Sequence, residues 1–334
     1  MKALVTGGCG FIGSNLVHEL HERGWSVDIV DDLSNGNPYF LKGLPVRYIP
    51  SVEMAHSSIV QSPDVINVFT LDFVDRGVLE RVLVGSYDFV FHLAANPRVE
   101  YSVENPTETT ETNLLKTIGL FECAQKGGVR RVVFSSTCAV YGDAPEVPTP
   151  ESCTPNPNSP YGLQKLTCEK FAQMMSAHSG FESVCLRYFN VYGPRQFGGS
   201  PYSTAITAWT HAAYTDQPLR SDGDGTQTRD MIYVGDVVSA NIAAALRDNN
   251  FSGEVLNICT GTSVSNLKIL ENFRQKFGIL KVENAGWRPG DVMHTRGDGS
   301  KALDMIKFRT KTTLSEGLKK TWEWWDQARS EDVV

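Results

Sequence analysis

The chain reads as an α/β protein on a doubly wound parallel sheet, with a smaller α/β lobe toward its C terminus. Through the first half, short apolar runs alternate with helical patterns, as they do when crossover helices join parallel strands. After about Asn190 the alternation loosens into Gly- and Pro-rich loops with shorter elements. The strand candidates are Ala3 to Thr6, Ser26 to Val30, Asp88 to His92, Arg131 to Ser135 and Val184 to Tyr188, with helices expected at Phe11 to Arg23, Thr110 to Lys126 and Tyr161 to His178. Further on, one helix is expected from an Asp236 N-cap to about Arg247. Another follows Ser265, where Leu267, Ile269, Leu270, Phe273 and Phe277 trace an apolar stripe. The strand Val255 to Ile258 is expected to return to the main sheet, whereas Asn37 to Pro63 shows no period and reads as a surface excursion.

A length of 334 residues with 41% hydrophobic and 21% charged residues suits a globular chain with a sizeable core. The net charge of −7 argues against a nucleic-acid surface, yet leaves room for a small anionic ligand held by two or three cations. No apolar run is long enough for a membrane span. A glycine motif follows the first strand at once, so no signal peptide is expected and the setting reads as cytoplasmic. Seven scattered cysteines form no Cys-x-x-Cys pair and are expected as reduced thiols, and no metal site is expected.

Three motifs carry the chemistry. Gly7-Gly8-Cys9-Gly10-Phe11-Ile12-Gly13 closes a strand and opens a helix, where a tight turn lets backbone N–H groups reach a pyrophosphate. Asp31 ends the next strand. A carboxylate there bonds an adenosine ribose and repels a 2′-phosphate, so Asp31 and Asp32 favour NAD over NADP. The second motif is Tyr161-Gly-Leu-Gln-Lys165, behind a Ser159 cap and a Pro160 first turn. Tyrosine near pKa 10 is a poor base at neutral pH, and an ammonium one turn away stabilises its phenolate. Alone, such a pair is commonplace on exposed helices. The third is Val132-Val133-Phe134-Ser135-Ser136-Thr137, a buried strand ending in hydroxyls at the ligand edge of such a sheet. Thr137 is the candidate donor to a reacting oxygen, although strand-end hydroxyls usually satisfy local backbone.

Together these sets resemble the extended short-chain dehydrogenase/reductase family, and within it the NAD-dependent nucleotide-sugar 4-epimerases. The likeness extends through His92-Leu93-Ala94-Ala95, Arg187 to Arg195, Gly223 to Asp230, and Arg288-Pro289-Gly290-Asp291. It implies a Rossmann-like NAD-binding domain over 1–190 and a mainly substrate-binding lobe over 191–334, with the elements near 230–260 returning to the first. It assigns Thr137, Tyr161 and Lys165 to catalysis. It implies that Gly7, Gly10, Phe11, Ile12, Gly13, Asp31, Asp32, Ser34, Asn35, Gly36, Asp72, Phe73, Leu93, Ala94, Ala95, Thr112 and Phe189 line the NAD site, with Tyr161 and Lys165. Asn190, Arg229, Arg288 and Asp291 would hold the nucleotide diphosphate, which two arginines suit by charge-assisted contacts. A homodimer through the helices at Thr110 to Lys126 and Tyr161 to His178 is also implied.

Members share oxidation at the sugar 4-hydroxyl and differ in the fate of the 4-keto sugar. In the resemblance, dehydratases carry Asp-Glu after the threonine and decarboxylating relatives a glutamate; Cys138 and Ala139 stand here instead. A 3,5-epimerase/reductase reading of Cys138 is weaker, because Cys138 to Gly142 is closer to the 4-epimerases. Expected substrates are UDP-glucose/UDP-galactose or UDP-GlcNAc/UDP-GalNAc, with UDP-glucuronate as the alternative and a non-catalytic nucleotide-binding scaffold as the remote one. Two departures bear on that choice. Arg220-Ser221-Asp222 stands where uridine-nucleotide relatives carry apolar and aromatic residues, which leaves the base open. Thr295 stands where galactose-type epimerases carry tyrosine, which leaves room for an N-acetyl or uronate group.

Overall fold

The computed structural model describes residues 1–49, 59, 61–197, 204–287 and 292–331. Through the first part run strands β1 (Lys2–Thr6), β2 (Ser26–Val30), β3 (Val46–Ile49), β4 (Ile66–Phe69), β5 (Phe89–His92), β6 (Arg131–Thr137) and β7 (Ser183–Tyr188). Between them lie helices α1 (Phe11–Glu22), α2 (Arg76–Leu83), α3 (Val99–Glu104), α4 (Pro106–Thr110), α5 (Lys116–Lys126) and α6 (Pro160–Ser179). The remainder comprises β8 (Asn190–Tyr192), α7 (Ala205–Tyr214), β9 (Leu219–Asp222), β10 (Thr228–Arg229), β11 (Met231–Tyr233), α8 (Val234–Leu246), β12 (Ser252–Ile258), β13 (Val264–Ser265), α9 (Asn266–Phe277), β14 (Val282–Ala285), α10 (Ser300–Ile306) and α11 (Leu314–Ser330).

Eight strands form one sheet in the order β12-β7-β6-β5-β1-β2-β4-β3, every pairing parallel. A parallel sheet needs both faces covered, and alternation along β1 shows how this is met. Ala3 and Val5 pack with Leu16, Val17 and Leu20 of α1 and with Val237 and Val238 of α8. Leu4 faces the opposite core, with Val78 and Val82 of α2, Leu120 and Phe121 of α5, and Cys168 of α6. Strand order reverses between β1 and β5, so the crevice between their carboxyl ends is where such a sheet takes a ligand. A separate aromatic core of Trp209, Phe273, Trp322 and Trp325 joins α7, α9 and α11.

The structure departs from the sequence reading in three places. The helix expected over Thr110–Lys126 is interrupted by a π turn at Glu111–Leu115, which turns Asn113 into the interior. Asp236 does not cap α8, whose N-cap is Tyr233; its buried carboxylate accepts the N–H groups of Lys311 and Thr312 at 3.0 and 3.1 Å. The supposed surface excursion contributes the edge strand β3 and, at Pro38–Leu41, a 3₁₀ turn capped by Asn37. That turn is clasped by the far end of the chain. Glu331 accepts from Tyr39 Oη and Lys42 Nζ, each at 2.5 Å, and Phe40 lies 5.9 Å from the Trp324 ring. As expected, β12 returns to the main sheet beside β7, and all seven cysteines are free.

Candidate active site

The glycine loop sits at the reversal point and is shaped by close backbone approach. Gly7 has φ +71°, and a β carbon there would stand 2.8 Å from Ala94 N, so the loop after β1 is pressed against the loop after β5. A β carbon on Gly13 would lie 2.0 Å from Gly7 O. Helix α1 has Gly10 as its N-cap and no side-chain cap, leaving the first-turn N–H groups at Phe11, Ile12 and Gly13 for an outside acceptor such as a phosphate. Leu93 and Ala94 are fixed by Leu93 N donating to Thr6 O and Ala94 N to Thr6 Oγ1, both at 3.2 Å; Ala95 follows, half-buried.

Asp31 is buried at the end of β2, where burial raises its carboxyl pKa while N–H groups of Leu33 (2.9 Å) and Cys9 (2.8 Å) pull it back. The loop beyond it folds back: Asn37 N donates to Cys9 O at 2.8 Å, and Gly36 lies so close that a β carbon would come within 2.6 Å of Asp31 Oδ1. Asp32 is exposed and accepts both the N–H and hydroxyl of Ser34, beside exposed Asn35. Asp31 thus stands beside the glycine loop with each carboxylate oxygen accepting a backbone N–H. Asp72 accepts Lys116 Nζ at 2.6 Å, and the Phe73 ring packs 4.9 Å from His92. Thr112 lies half-buried in the π turn.

Helix α6 presents the tyrosine and lysine from one buried face. Ser159 accepts Gly162 N at 3.2 Å, Pro160 opens the helix, and Tyr161 N donates to Ser102 Oγ at 3.1 Å. Burial pushes the Tyr161 phenol above its ordinary range, and the Cys138 thiol adds to this; a hydrogen bond with Thr137 opposes them. Thr137 ends β6 and also accepts Ala139 N at 3.2 Å, so the local-backbone and site roles coincide. Lys165 is drawn toward β6, donating to Ser135 O at 2.8 Å over the Phe134 ring at 4.6 Å. Burial brings its ammonium down to about 8. The sequence reading placed this charge beside the phenolate; in the structure a strand-end carbonyl holds it.

One turn along α6, Glu169 forms a buried bidentate pair with Arg187 of β7 (2.9 and 2.6 Å) and accepts Ser136 Oγ at 2.5 Å. Deleting one member of such a pair costs about 3–5 kcal/mol, so it pins α6 to the strands that carry Thr137. Sequence reasoning missed this, along with a buried amide chain. Asn113 Oδ1 accepts Asn96 N (2.8 Å), Asn113 Nδ2 donates to Gln164 Oε1 (2.9 Å), and Gln164 Nε2 donates to Thr109 and Thr110. Gln164 lies inside the Tyr-x-x-x-Lys motif, but its partners Asn113, Thr109 and Thr110 lie about fifty residues away and give no local signal.

On the substrate side, Asn190 Nδ2 donates to Asp230 O (3.1 Å) and Thr295 Oγ1 (3.3 Å), so Thr295 is tied to Asn190 rather than standing loose on the surface. Buried Asp230, also missed, accepts N–H groups of Thr260, Gly261 and Gly297 and holds three loops together. Phe189 is buried, close enough to Gly297 that a β carbon there would approach its ring within 2.7 Å. Arg229 donates to the carbonyls of Thr228 and Met293. Arg288 and Asp291 lie outside the described residues.

A dinucleotide crevice at the strand reversal, with a Tyr-x-x-x-Lys face beside it, defines a nicotinamide-dependent enzyme of the extended short-chain dehydrogenase/reductase kind. Residues 3–259 match the NAD dependent epimerase/dehydratase family, and the chain belongs to it. It is 33% identical over 325 residues to a putative UDP-glucose 4-epimerase of Methanocaldococcus jannaschii, covering 96% of this chain and 97% of the relative. Among solved structures, it superposes with TM-score 0.87 on a UDP-N-acetylglucosamine 4-epimerase of Methanobrevibacter ruminantium solved with UDP-N-acetylmuramic acid, at 34% identity and 98% coverage of both chains. A UDP-glucose 4-epimerase of Thermotoga maritima with UDP-glucose gives TM-score 0.86 at 33% identity, covering 98% of this chain and 100% of that one. The chain is an NAD-dependent enzyme of the nucleotide-sugar epimerase class. No described helix is long and apolar enough to cross a membrane.

Proposed function

We propose that this chain interconverts UDP-hexoses at C4, acting on UDP-glucose/UDP-galactose or UDP-GlcNAc/UDP-GalNAc. Tyr161 Oη, as the phenolate, takes the proton of the sugar 4-hydroxyl, and Thr137 Oγ1 hydrogen-bonds the same oxygen. The glycine loop, Asp31 and Lys165 would hold NAD, which would supply a reversible hydride acceptor for C4. Tyr161 then gives the proton back to the inverted alkoxide, so no atom is gained or lost. Residues 1–190 serve the cofactor and 191–334 mainly the substrate, with Asn190, Arg229, Arg288 and Asp291 on its diphosphate.

One observation carries the choice of epimerisation over elimination. The residue after Thr137 is Cys138, whose thiol burial pushes up to about 12, and the next is Ala139. Neither supplies the carboxyl acid-base pair that elimination across C5 and C6 would use. Incubation with UDP-glucose, UDP-GlcNAc and UDP-glucuronate, with products resolved by chromatography, tests this. A C4 epimer supports the reading; a 4-keto-6-deoxy sugar or a decarboxylated pentose overturns it. UDP-glucuronate remains the second reading, because compact Thr295, anchored to Asn190, leaves space near the hexose. The same reading places the enzyme in the cytoplasm as a homodimer. Exposed Val103, Leu115, Leu163 and Met174 on α3, the π turn and α6 support the helical interface. Light scattering at micromolar concentration is expected to give twice the chain mass.

A further inference from the structure

Strand β14 runs parallel to β9 with Ala285 opposite Asp222, and Gly223 N donates to Ala285 O at 3.0 Å. Two residues beyond Ala285, Trp287 comes to lie over the glycine turn that follows β9. A β carbon on Gly223 would stand 2.7 Å from Cε2 and Cζ2 and 2.8 Å from Cδ2 of the indole. A point so nearly equidistant from three consecutive ring atoms lies over the face of the ring, not beside its edge. Gly223, at φ +64°, covers that face at a distance no side chain would allow.

The rest of the ring is open. Trp287 is 47% exposed, whereas the other five tryptophans are buried or half-buried. Two more exposed apolar side chains come from elsewhere in the chain to the segment that follows Gly223. Leu267, 49% exposed, packs against Gly225, and Met293, 41% exposed, offers its carbonyl to Thr228 N and to the Arg229 guanidinium. An indole face backed by a glycine of the 223–229 segment, which also contacts Leu267 and Met293 and carries Arg229, matches a planar base joined to a diphosphate. Within β9 itself no aromatic is offered: Arg220 is paired with Asp222 at 2.8 Å, and Ser221 is buried.

We propose that Trp287 is the platform on which the pyrimidine of the nucleotide sugar stacks, replacing an aromatic residue in β9. This rests on the reading of the chain as a nucleotide-sugar enzyme. The test titrates UDP and dTDP into the NAD-loaded protein by calorimetry and tryptophan emission, for wild type, Trp287→Phe, Trp287→Leu and Trp287→Ala. Alanine should weaken UDP binding by roughly 5- to 150-fold, the range of single-base stacking, and phenylalanine by less than about threefold. Leucine still covers Gly223 but has no π face, so it should lose about as much as alanine. NAD content and melting temperature should stay at wild-type values in the phenylalanine and leucine variants. Wild-type affinity in Trp287→Leu, or in a folded Trp287→Ala, would overturn the stacking role while leaving the enzyme reading intact. A wild type that binds neither UDP nor dTDP would overturn both.

Discussion

Replacing Lys165 by methionine should stabilise the NAD-free protein at pH 7 while abolishing its turnover. The side chain is buried, and burial lowers its ammonium from 10.5 to about 8. At about 1.4 kcal/mol per pH unit, keeping it charged below pH 8 costs the folded state about 3 kcal/mol. Methionine fills similar space without a charge, but leaves Ser135 O one donor short, an offset of about 1 kcal/mol. The net gain of about 2 kcal/mol corresponds to roughly 3 °C in a chain of this size. Because the folded-state pKa is depressed, the wild-type penalty is complete below about 8 and fades as pH rises toward 10.5. The difference between the two melting curves should therefore close over that window. Thermal melts of stripped protein at intervals from pH 7 to 10.5 check this. A variant that melts lower at pH 7, or a difference that does not change with pH, would refute the reasoning.

Tyr161→Phe should lower turnover by roughly 100- to 10,000-fold and leave NAD affinity nearly unchanged; a residual rate above about a tenth would mean the base is another group. NAD should bind stripped protein at least about tenfold more tightly than NADP, a difference of about 1.4 kcal/mol, because Asp31 would face the 2′-phosphate; equal dissociation constants would discard that argument. Thr295→Tyr should reduce kcat/KM for UDP-GlcNAc or UDP-glucuronate relative to UDP-glucose by about tenfold, within the usual cost of overpacking. An unchanged ratio would remove Thr295 from the sugar pocket.

Much of the cofactor side was legible because its signals are local. A glycine run between a strand and a helix, an acid ending the next strand, and a Ser-Pro helix start each depend on a few neighbouring residues. The structure puts Gly7 and Gly13 in the tight turn from β1 to α1, Asp31 at the end of β2, and Tyr161 and Lys165 on the buried face of α6. What escaped depends on distant partners. β4, Ile-Asn-Val-Phe, is short and carries a polar Asn67, which is buried because Asp28 accepts its amide at 2.7 Å. No local period could announce β3, which forms by pairing with β4. Asp236 resembles a helix cap in sequence, yet its partners lie some seventy residues away at Lys311 and Thr312. The π turn escaped for the same reason: Asn113 has an ordinary helical context and turns inward to meet Asn96 and Gln164.

The clasp between Glu331 and the Tyr39–Lys42 turn makes the first and last parts of the chain neighbours. Synthesis proceeds from the N terminus, so the loop that carries Asp31, Gly36 and Phe40 emerges nearly three hundred residues before the helix it rests on. Until α11 is released, Phe40 has no Trp324 to pack against and Tyr39 has no carboxylate. The turn after β2 therefore reaches its packed arrangement only once α11 has been made.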